Sequence, residues 1–312
     1  MMNKLTQVMQ ALTVGVLFSV PSLTLAATES SVQTQLLDKF QSGQYSSKGA
    51  DSCLMCHRKD QSVMAIFSGV HGDLAHSNSP MANLQCESCH GPQGKHRGKN
   101  EPMIVFGSDG NVSAELQDSV CLSCHQDSER MSWHDSMHVQ AEVSCVSCHQ
   151  VHSASDPILD RSQQVGRCVE CHSEQRSDLH KRSAHPMQTN TQAGSMVCSD
   201  CHASHGSMSD AALLQPSTND NCYQCHAEKR GPFLWEHQGV VDDCSNCHDV
   251  HGSVNDNLLK RKAPQLCQNC HQPDGHQFNV EPDSVFSSGQ SCLNCHNQIH
   301  GSNHPSGNYL RK

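Results

Sequence analysis

Residues 244–251 read Cys244-Ser245-Asn246-Cys247-His248-Asp249-Val250-His251, and the rest of the chain is organised around that pattern. Two cysteines three apart followed at once by a histidine form C-x-x-C-H, the attachment site of a c-type haem. The two-residue spacer lets both sulfurs form thioethers along one edge of the porphyrin. The adjoining histidine then stands over the iron as its proximal ligand. A second histidine, His251, follows three residues later.

The motif occurs ten times and accounts for all 20 cysteines. In the first half the attachment cysteines and proximal histidines are Cys53/Cys56/His57, Cys86/Cys89/His90, Cys121/Cys124/His125, Cys145/Cys148/His149 and Cys168/Cys171/His172. In the second half they are Cys198/Cys201/His202, Cys222/Cys225/His226, Cys244/Cys247/His248, Cys267/Cys270/His271 and Cys292/Cys295/His296. A disulfide framework or a set of zinc sites would account for paired cysteines. Neither accounts for a histidine after every pair, a coincidence with a chance probability on the order of 10⁻¹¹ given 24 histidines in 312 residues. The expected cofactor is therefore ten covalently bound haems c.

Apolar residues make up 35% of the chain and aromatic residues 4%. That is thin for one hydrophobic core in a chain of this length. Porphyrins are large, flat and apolar, so the haems are expected to supply the core and the polypeptide to wrap them. An apo chain is not expected to hold its fold.

Residues 1–26 have the pattern of a secretory signal peptide. Lys4 gives the basic n-region, 11–20 is an apolar stretch, and Thr24-Leu25-Ala26 is a small-residue cleavage site. The apolar run is too short to leave a membrane span, so export is expected. Cleavage would leave 20 cations against 31 acids, a balance of −11, and nucleic acid is not an expected partner. Residues 27–52 carry no haem motif. There Val32, Leu36, Leu37 and Phe40 fall at helical spacing, and Gly43 can end a short helix.

Spacings between first cysteines are 33, 35, 24, 23, 30, 24, 22, 23 and 25 residues. Such intervals leave little room for strands. The expected fold is haem-dominated and mostly irregular, with short α-helices and little or no β-structure, as an elongated multihaem wire. Its halves are 53–190 and 191–312, each with five haems. Helical fragments are expected at Gln61–Gly69, at Ser113–Val120, and from near Ser209 to before Pro216. An internal repeat is also present. C-H-A-S-H-G-S from Cys201, C-H-D-V-H-G-S from Cys247 and C-H-Q-V-H-S from Cys148 each lead to a plainer motif about twenty residues on, and Cys295 opens a partial copy. The repeat unit is a pair of haems, and such units add along one direction.

Ten proximal histidines leave fourteen others. At least one lies between every motif and the next, which suits a second axial histidine on every iron. The distal candidates are His71, His96, His138, His152, His185, His205, His237, His251 and His276, with His300 or His304 for the last. His300 is preferred because His-Gly-Ser repeats the pattern at His205 and His251. His76, His134 and His180 are surplus. His152, His205 and His251 lie three residues past a proximal histidine, so at most about 11 Å of chain separates the two Cα atoms. Reaching the opposite face of the same porphyrin would mean rounding its edge, so these side chains are expected to ligate a neighbouring haem. Methionine is the competing sixth ligand. Histidine is sufficient in number and more regular in position.

An iron with two axial histidines has no open coordination site. It passes electrons without binding substrate, so electron transfer is expected rather than catalysis, with a multihaem reductase holding one accessible haem as the alternative. A module in which haems only stabilise the fold would not need ten redox centres.

Several stretches carry a family resemblance: Cys53-Leu-Met-Cys-His, Gln85-Cys-Glu-Ser-Cys-His-Gly-Pro, Glu101-Pro-Met-Ile, Cys222-Tyr-Gln-Cys-His-Ala-Glu-Lys-Arg-Gly-Pro, Leu234-Trp-Glu-His and His300-Gly-Ser-Asn-His-Pro-Ser-Gly. Together they resemble the MtrA/DmsE family of periplasmic decahaem cytochromes over nearly all of the mature chain. The resemblance implies a haem wire inserted into an outer-membrane β-barrel porin. It implies donation from an inner-membrane quinol dehydrogenase or small periplasmic cytochromes. The implied acceptor is a surface multihaem cytochrome reducing metal oxides, or a molybdenum reductase acting on dimethyl sulfoxide. No lipid-facing segment is visible in the sequence, so the outer membrane would be reached only through the porin.

Overall fold

A computed structural model describes residues 23–99, 101–127, 130–187, 196–272 and 291–311, with side chains from residue 33 onward except at 98 and 99. Most of the signal stretch, the distal candidate His276 and the boundary between the two halves lie outside the described residues. The described chain is built from short α-helices, single 3₁₀ turns and loops, with β-structure limited to isolated bridges. None of its helices is long and apolar enough to cross a membrane.

The motifs alternate between two local structures. Odd-numbered motifs lie at the ends of helices: Ala50–His57, Ala114–Leu122, Arg161–Cys168, Thr218–Cys222 and Ala263–Cys267. Three of these helices start on a capping side chain. Ser113 accepts from the amide of Leu116, Asp160 from that of Ser162, and Ser217 from that of Asp220, which satisfies amides the first turn leaves unpaired. The last four even-numbered motifs open on a 3₁₀ turn: Cys145–Ser147, Cys198–Asp200, Cys244–Asn246 and Cys292–Asn294. In motifs two to ten the histidine amide donates to the carbonyl of the first cysteine at 2.9–3.1 Å. This closes one helical turn and puts both sulfurs and the imidazole on one side of it.

Each helix is tied to the motif after it. Asp118, three residues before Cys121, accepts from the amide of Cys145 at 2.8 Å and from the Trp133 indole at 2.9 Å. Asn219, three residues before Cys222, accepts from the amide of Cys244 at 2.7 Å and donates to the carbonyls of Val240 and Val241. Both side chains are buried, so each joins an odd motif to the following even one.

Apolar packing is sparse, as the composition implies. One cluster holds Leu36, Ile104, Val112 and Leu116, with Phe40, Phe106 and Val120 against it. Leu36 and Phe40 come from the helix Leu23–Ser42, which is longer than the short helix expected there and starts before Ala26. The helical fragment expected from Gln61 forms an α turn followed by a 3₁₀ turn, Gln61–Met64 and Ala65–Ser68. The one expected near Ser209 reduces to a 3₁₀ turn at Asp210–Ala212, with Ala211 and Ala212 at φ of 53° and 51°. A regular helix would turn the Ala211 carbonyl along its own axis. Here that carbonyl accepts from the His202 ring at 2.9 Å, while the amide of Leu214 donates to Cys201. The same arrangement recurs at Asn257 and Leu258 for His248, with the amide of Lys260 donating to Cys247.

Candidate haem sites

The cysteines of successive motifs adjoin one another in sequence order. First cysteines make side-chain contact in the pairs Cys53–Cys86, Cys121–Cys145, Cys168–Cys198, Cys222–Cys244 and Cys267–Cys292. Second cysteines bridge the intervals between those pairs. Cys89 lies in electrostatic range of Cys124, Cys148 of Cys171, Cys201 of Cys225 and Cys247 of Cys270. The ten motifs thus form one unbroken series.

Cys56 is exposed on the last turn of the helix Ala50–His57. The other odd motifs also expose their second cysteine, at Cys124, Cys171, Cys225 and Cys270. Each of those four lies beside a second cysteine of the motif before it. Cys295, in the last motif, is exposed too.

The histidines form a second pattern. Eight proximal imidazoles each face another imidazole, with ring centroids 5.9–6.4 Å apart: His125 faces His71, His90 faces His152, His172 faces His138, His149 faces His205, His226 faces His185, His202 faces His251, His271 faces His237, and His248 faces His300. Metal–imidazole bonds of ~2.0–2.1 Å from both sides of one ion put ring centroids about 6 Å apart. The gaps therefore fit an iron with two axial histidines, and a porphyrin supplies the remaining in-plane ligands. Among the described residues no three His, Cys, Asp or Glu side chains converge as a protein-only metal site.

The pairs follow one rule at even motifs and the reverse rule at odd ones. An even motif faces a histidine that lies two motifs further on, as His149 faces His205. An odd motif faces a histidine from the segment after the odd motif before it, as His172 faces His138. His57 and His296 stand outside these eight pairs. His96 lies in the segment after motif two, its Nδ1 bonded to the carbonyl of Glu101 at 2.7 Å. His304 accepts from the amide of Ser306 at 3.2 Å, whereas His300 is the one set against a proximal ring.

Hydrogen bonds at Nδ1 orient the rings, and this layer was not anticipated from the sequence. Five proximal histidines use a local acceptor: Ile104 for His90, Asp156 for His149, Ala211 for His202, Asn257 for His248 and Tyr309 for His296. Four of these acceptors are backbone carbonyls, and the fifth is the Asp156 carboxylate. Two distal histidines use the residue just before another distal histidine, His138 on the Ser204 carbonyl and His185 on that of Val250. One short C-x-x-C-H-x-x-H segment thus offers imidazole to one site and a carbonyl to the next. Such outer partners fix the tautomer and leave Nε2 free for the metal.

Burial also favours the ligating form. It pushes the pKa of His71, His90, His251 and His300 down. His125 adds to the effect at His71, His202 at His251, and Lys229 at His300, while the bond to the Ile104 carbonyl opposes it at His90. A neutral imidazole is the form that binds metal.

Comparison with known proteins agrees with this construction. The chain is 56% identical to the multihaem cytochrome MtrA of Shewanella baltica, over 91% of its own length and 88% of the relative's. The chain belongs to the MtrA family of multihaem cytochromes. It is also 33% identical to the cytochrome c-type protein NrfB of Escherichia coli, over 41% of this chain and 67% of that one. Three family models match parts of it: cytochrome c-type protein NrfB-like at 86–171, the doubled CXXCH motif at 189–231 and 237–276, and cytochrome c554 and c-prime at 23–91. As an MtrA-family member the chain binds haem c covalently and takes part in electron transfer.

Proposed function

We propose that this MtrA-family chain is a periplasmic decahaem conductor in which every iron carries two axial histidines. Haem supplies the one-electron Fe(III)/Fe(II) couple. The chain's residues space the centres, close their axial positions and exclude substrate from the iron. The series of neighbouring cysteines from motif one to motif ten, first cysteines in contact and second cysteines within electrostatic range, carries this reading, because it gives each inner haem a neighbour on either side. The first and last motifs, Cys53–His57 and Cys292–His296, are then the two ends, where the outer edges of the first and last haems meet redox partners. The multihaem reductase alternative needs an open iron, and the facing imidazoles speak against one in at least eight of the sites.

The two pairing rules also indicate how the ends are closed. Haem one has no earlier odd motif to supply its distal ligand, and haem ten has no later even motif. His96, from the segment of haem one's pair-mate, completes the site of His57. His276, from the segment of haem ten's pair-mate, completes that of His296. The two ends are thereby treated alike. His71, His138, His152, His185, His205, His237, His251 and His300 complete the other eight.

The conductor passes through an outer-membrane β-barrel porin. It is reduced from an inner-membrane quinol dehydrogenase or by small periplasmic cytochromes, and it is oxidised by a surface multihaem cytochrome or a molybdenum reductase. The support is MtrA-family membership together with a body lacking a membrane-spanning helix among its described residues. Liposomes holding an enclosed oxidised dye test this. With dithionite outside, porin and chain together should bleach the dye, and neither component alone should do so. Bleaching by the chain without the porin, or none with both, overturns the proposal.

A further inference from the structure

Five proximal histidines bond a local acceptor through Nδ1, and one of those acceptors differs in kind. His149 meets the carboxylate Oδ2 of Asp156 at 2.6 Å, where His90, His202, His248 and His296 meet neutral carbonyls at 2.6–2.9 Å. The carboxylate is held in place rather than left to swing. Its other oxygen accepts from the amides of Gln150 at 3.2 Å and Ile158 at 3.3 Å, and the side chain is only 16% exposed. The loop is shorter here than in the related copies. Asp156 lies seven residues past His149, whereas Ala211 and Asn257 lie nine past His202 and His248.

We infer that Asp156 sets the redox potential of the fourth haem, making it the lowest-potential centre of the five even-numbered haems. The inference rests on the bis-histidine reading given above. With Nε2 on the iron, Nδ1 carries the proton and donates it toward Asp156. Charge-assisted hydrogen bonds are roughly twice as strong as neutral ones. The carboxylate therefore draws that proton further than a carbonyl does and gives the imidazole anionic character. A more basic axial ligand stabilises ferric over ferrous iron and lowers the potential. The fixed negative charge acts in the same direction through space. It also reaches His71, the imidazole facing His125, so the third haem feels a weaker form of the same effect. The result is a low step in the path between haems two and six.

Asp156→Asn tests this in the full holoprotein. The amide keeps the side chain's shape and removes its charge. A potentiometric titration followed by NMR resolves individual centres. Trp133 contacts mark the fourth and fifth haems, its indole lying 6.1 Å from the His205 ring and 6.5 Å from the His138 ring, and of the two the fourth is the one whose signals move in His205→Met. The expected result is a rise in potential that is largest at the fourth haem, smaller at the third and absent elsewhere, with the low-spin count unchanged. Asp156→Glu should stay close to the natural protein. Unchanged potentials in Asp156→Asn with its low-spin haems intact overturn the inference, as does an equal rise in Asp156→Glu. If Asp156→Asn loses a haem, the natural protein decides: the fourth haem must be the first even-numbered centre to oxidise as the potential is raised, and any other order overturns the inference. A high-spin fourth haem in the natural protein would instead count against the bis-histidine reading.

Discussion

At the scale of residues, the histidine three positions past a C-x-x-C-H motif serves a different site from the motif's own histidine. His248 faces His300, and His251 faces His202. Three residues of chain do not round a porphyrin edge, but they do reach a neighbour. Replacing His251 with alanine should therefore open the iron held by Cys198 and Cys201, not the one held by Cys244 and Cys247. The reduced variant should bind one carbon monoxide per chain, and a crystal structure of the adduct would locate it. Carbon monoxide on the Cys244–Cys247 haem would break the pairing scheme. The attachment residues were legible in the sequence because covalent chemistry fixes their spacing. The partner of each distal histidine was hidden, because it depends on contacts between residues 34 to 62 apart that leave no local periodicity. The Nδ1 acceptors were hidden for a related reason, since a backbone carbonyl has no residue signature. Asp156 was hidden as well, because the related copies carry Asp210 and Asp256 at the corresponding place, and only the shorter loop after His149 brings the carboxylate to the ring in place of a carbonyl.

At the scale of elements, alternating helix and 3₁₀ turn is the repeat that the spacing only hinted at. A helix ending in an odd motif is joined by Asp118 or Asn219 to the turn that opens the next motif. The glycine of the His-Gly-Ser copies has a packing reason. A Cβ on Gly252 would lie 2.0 Å from the backbone oxygen of Asp178, in the segment that leads to His185. Gly252→Ala must therefore push two backbone segments apart, at a cost of about 1–3 kcal/mol as for other overpacked sites. Denaturant unfolding of the holoprotein should show a lower midpoint. An unchanged midpoint would mean that the two segments do not pack as described. The expected helix near Ser209 failed for a reason that propensity does not carry. The segment gives up regular hydrogen bonding so that the Ala211 carbonyl can reach His202. The N-terminal helix was legible from Val32, Leu36, Leu37 and Phe40, but its extent was underestimated because the residues before Val32 show no such spacing.

At the scale of the whole molecule, polypeptide packing is too small to define the fold by itself. The one buried apolar cluster among the described residues draws on Leu36, Ile104, Val112 and Leu116, all before the fourth motif. Beyond it, order comes from hydrogen bonds between motifs and from the haems that the motifs hold. Chain expressed without haem attachment should show no cooperative thermal transition, while the holoprotein should show one. A cooperative transition in the apo chain would mean that the polypeptide carries its own core. This dependence was readable from composition, since 4% aromatic residues cannot fill an interior for 312 residues. The path of conduction was not, because motif order along a sequence does not establish adjacency in space. First cysteines in contact, alternating with second cysteines in electrostatic range, supply that link.

The central claim is that every iron is closed by two histidines, so that the molecule conducts and does not bind substrate. Low-temperature electron paramagnetic resonance of the fully oxidised protein, with spin quantitation against measured haem content, tests it most directly. Ten low-spin ferric haems with bis-nitrogen axial ligation, and no high-spin signal, are predicted. A stoichiometric high-spin ferric haem would contradict the claim and move the chain toward the reductase reading.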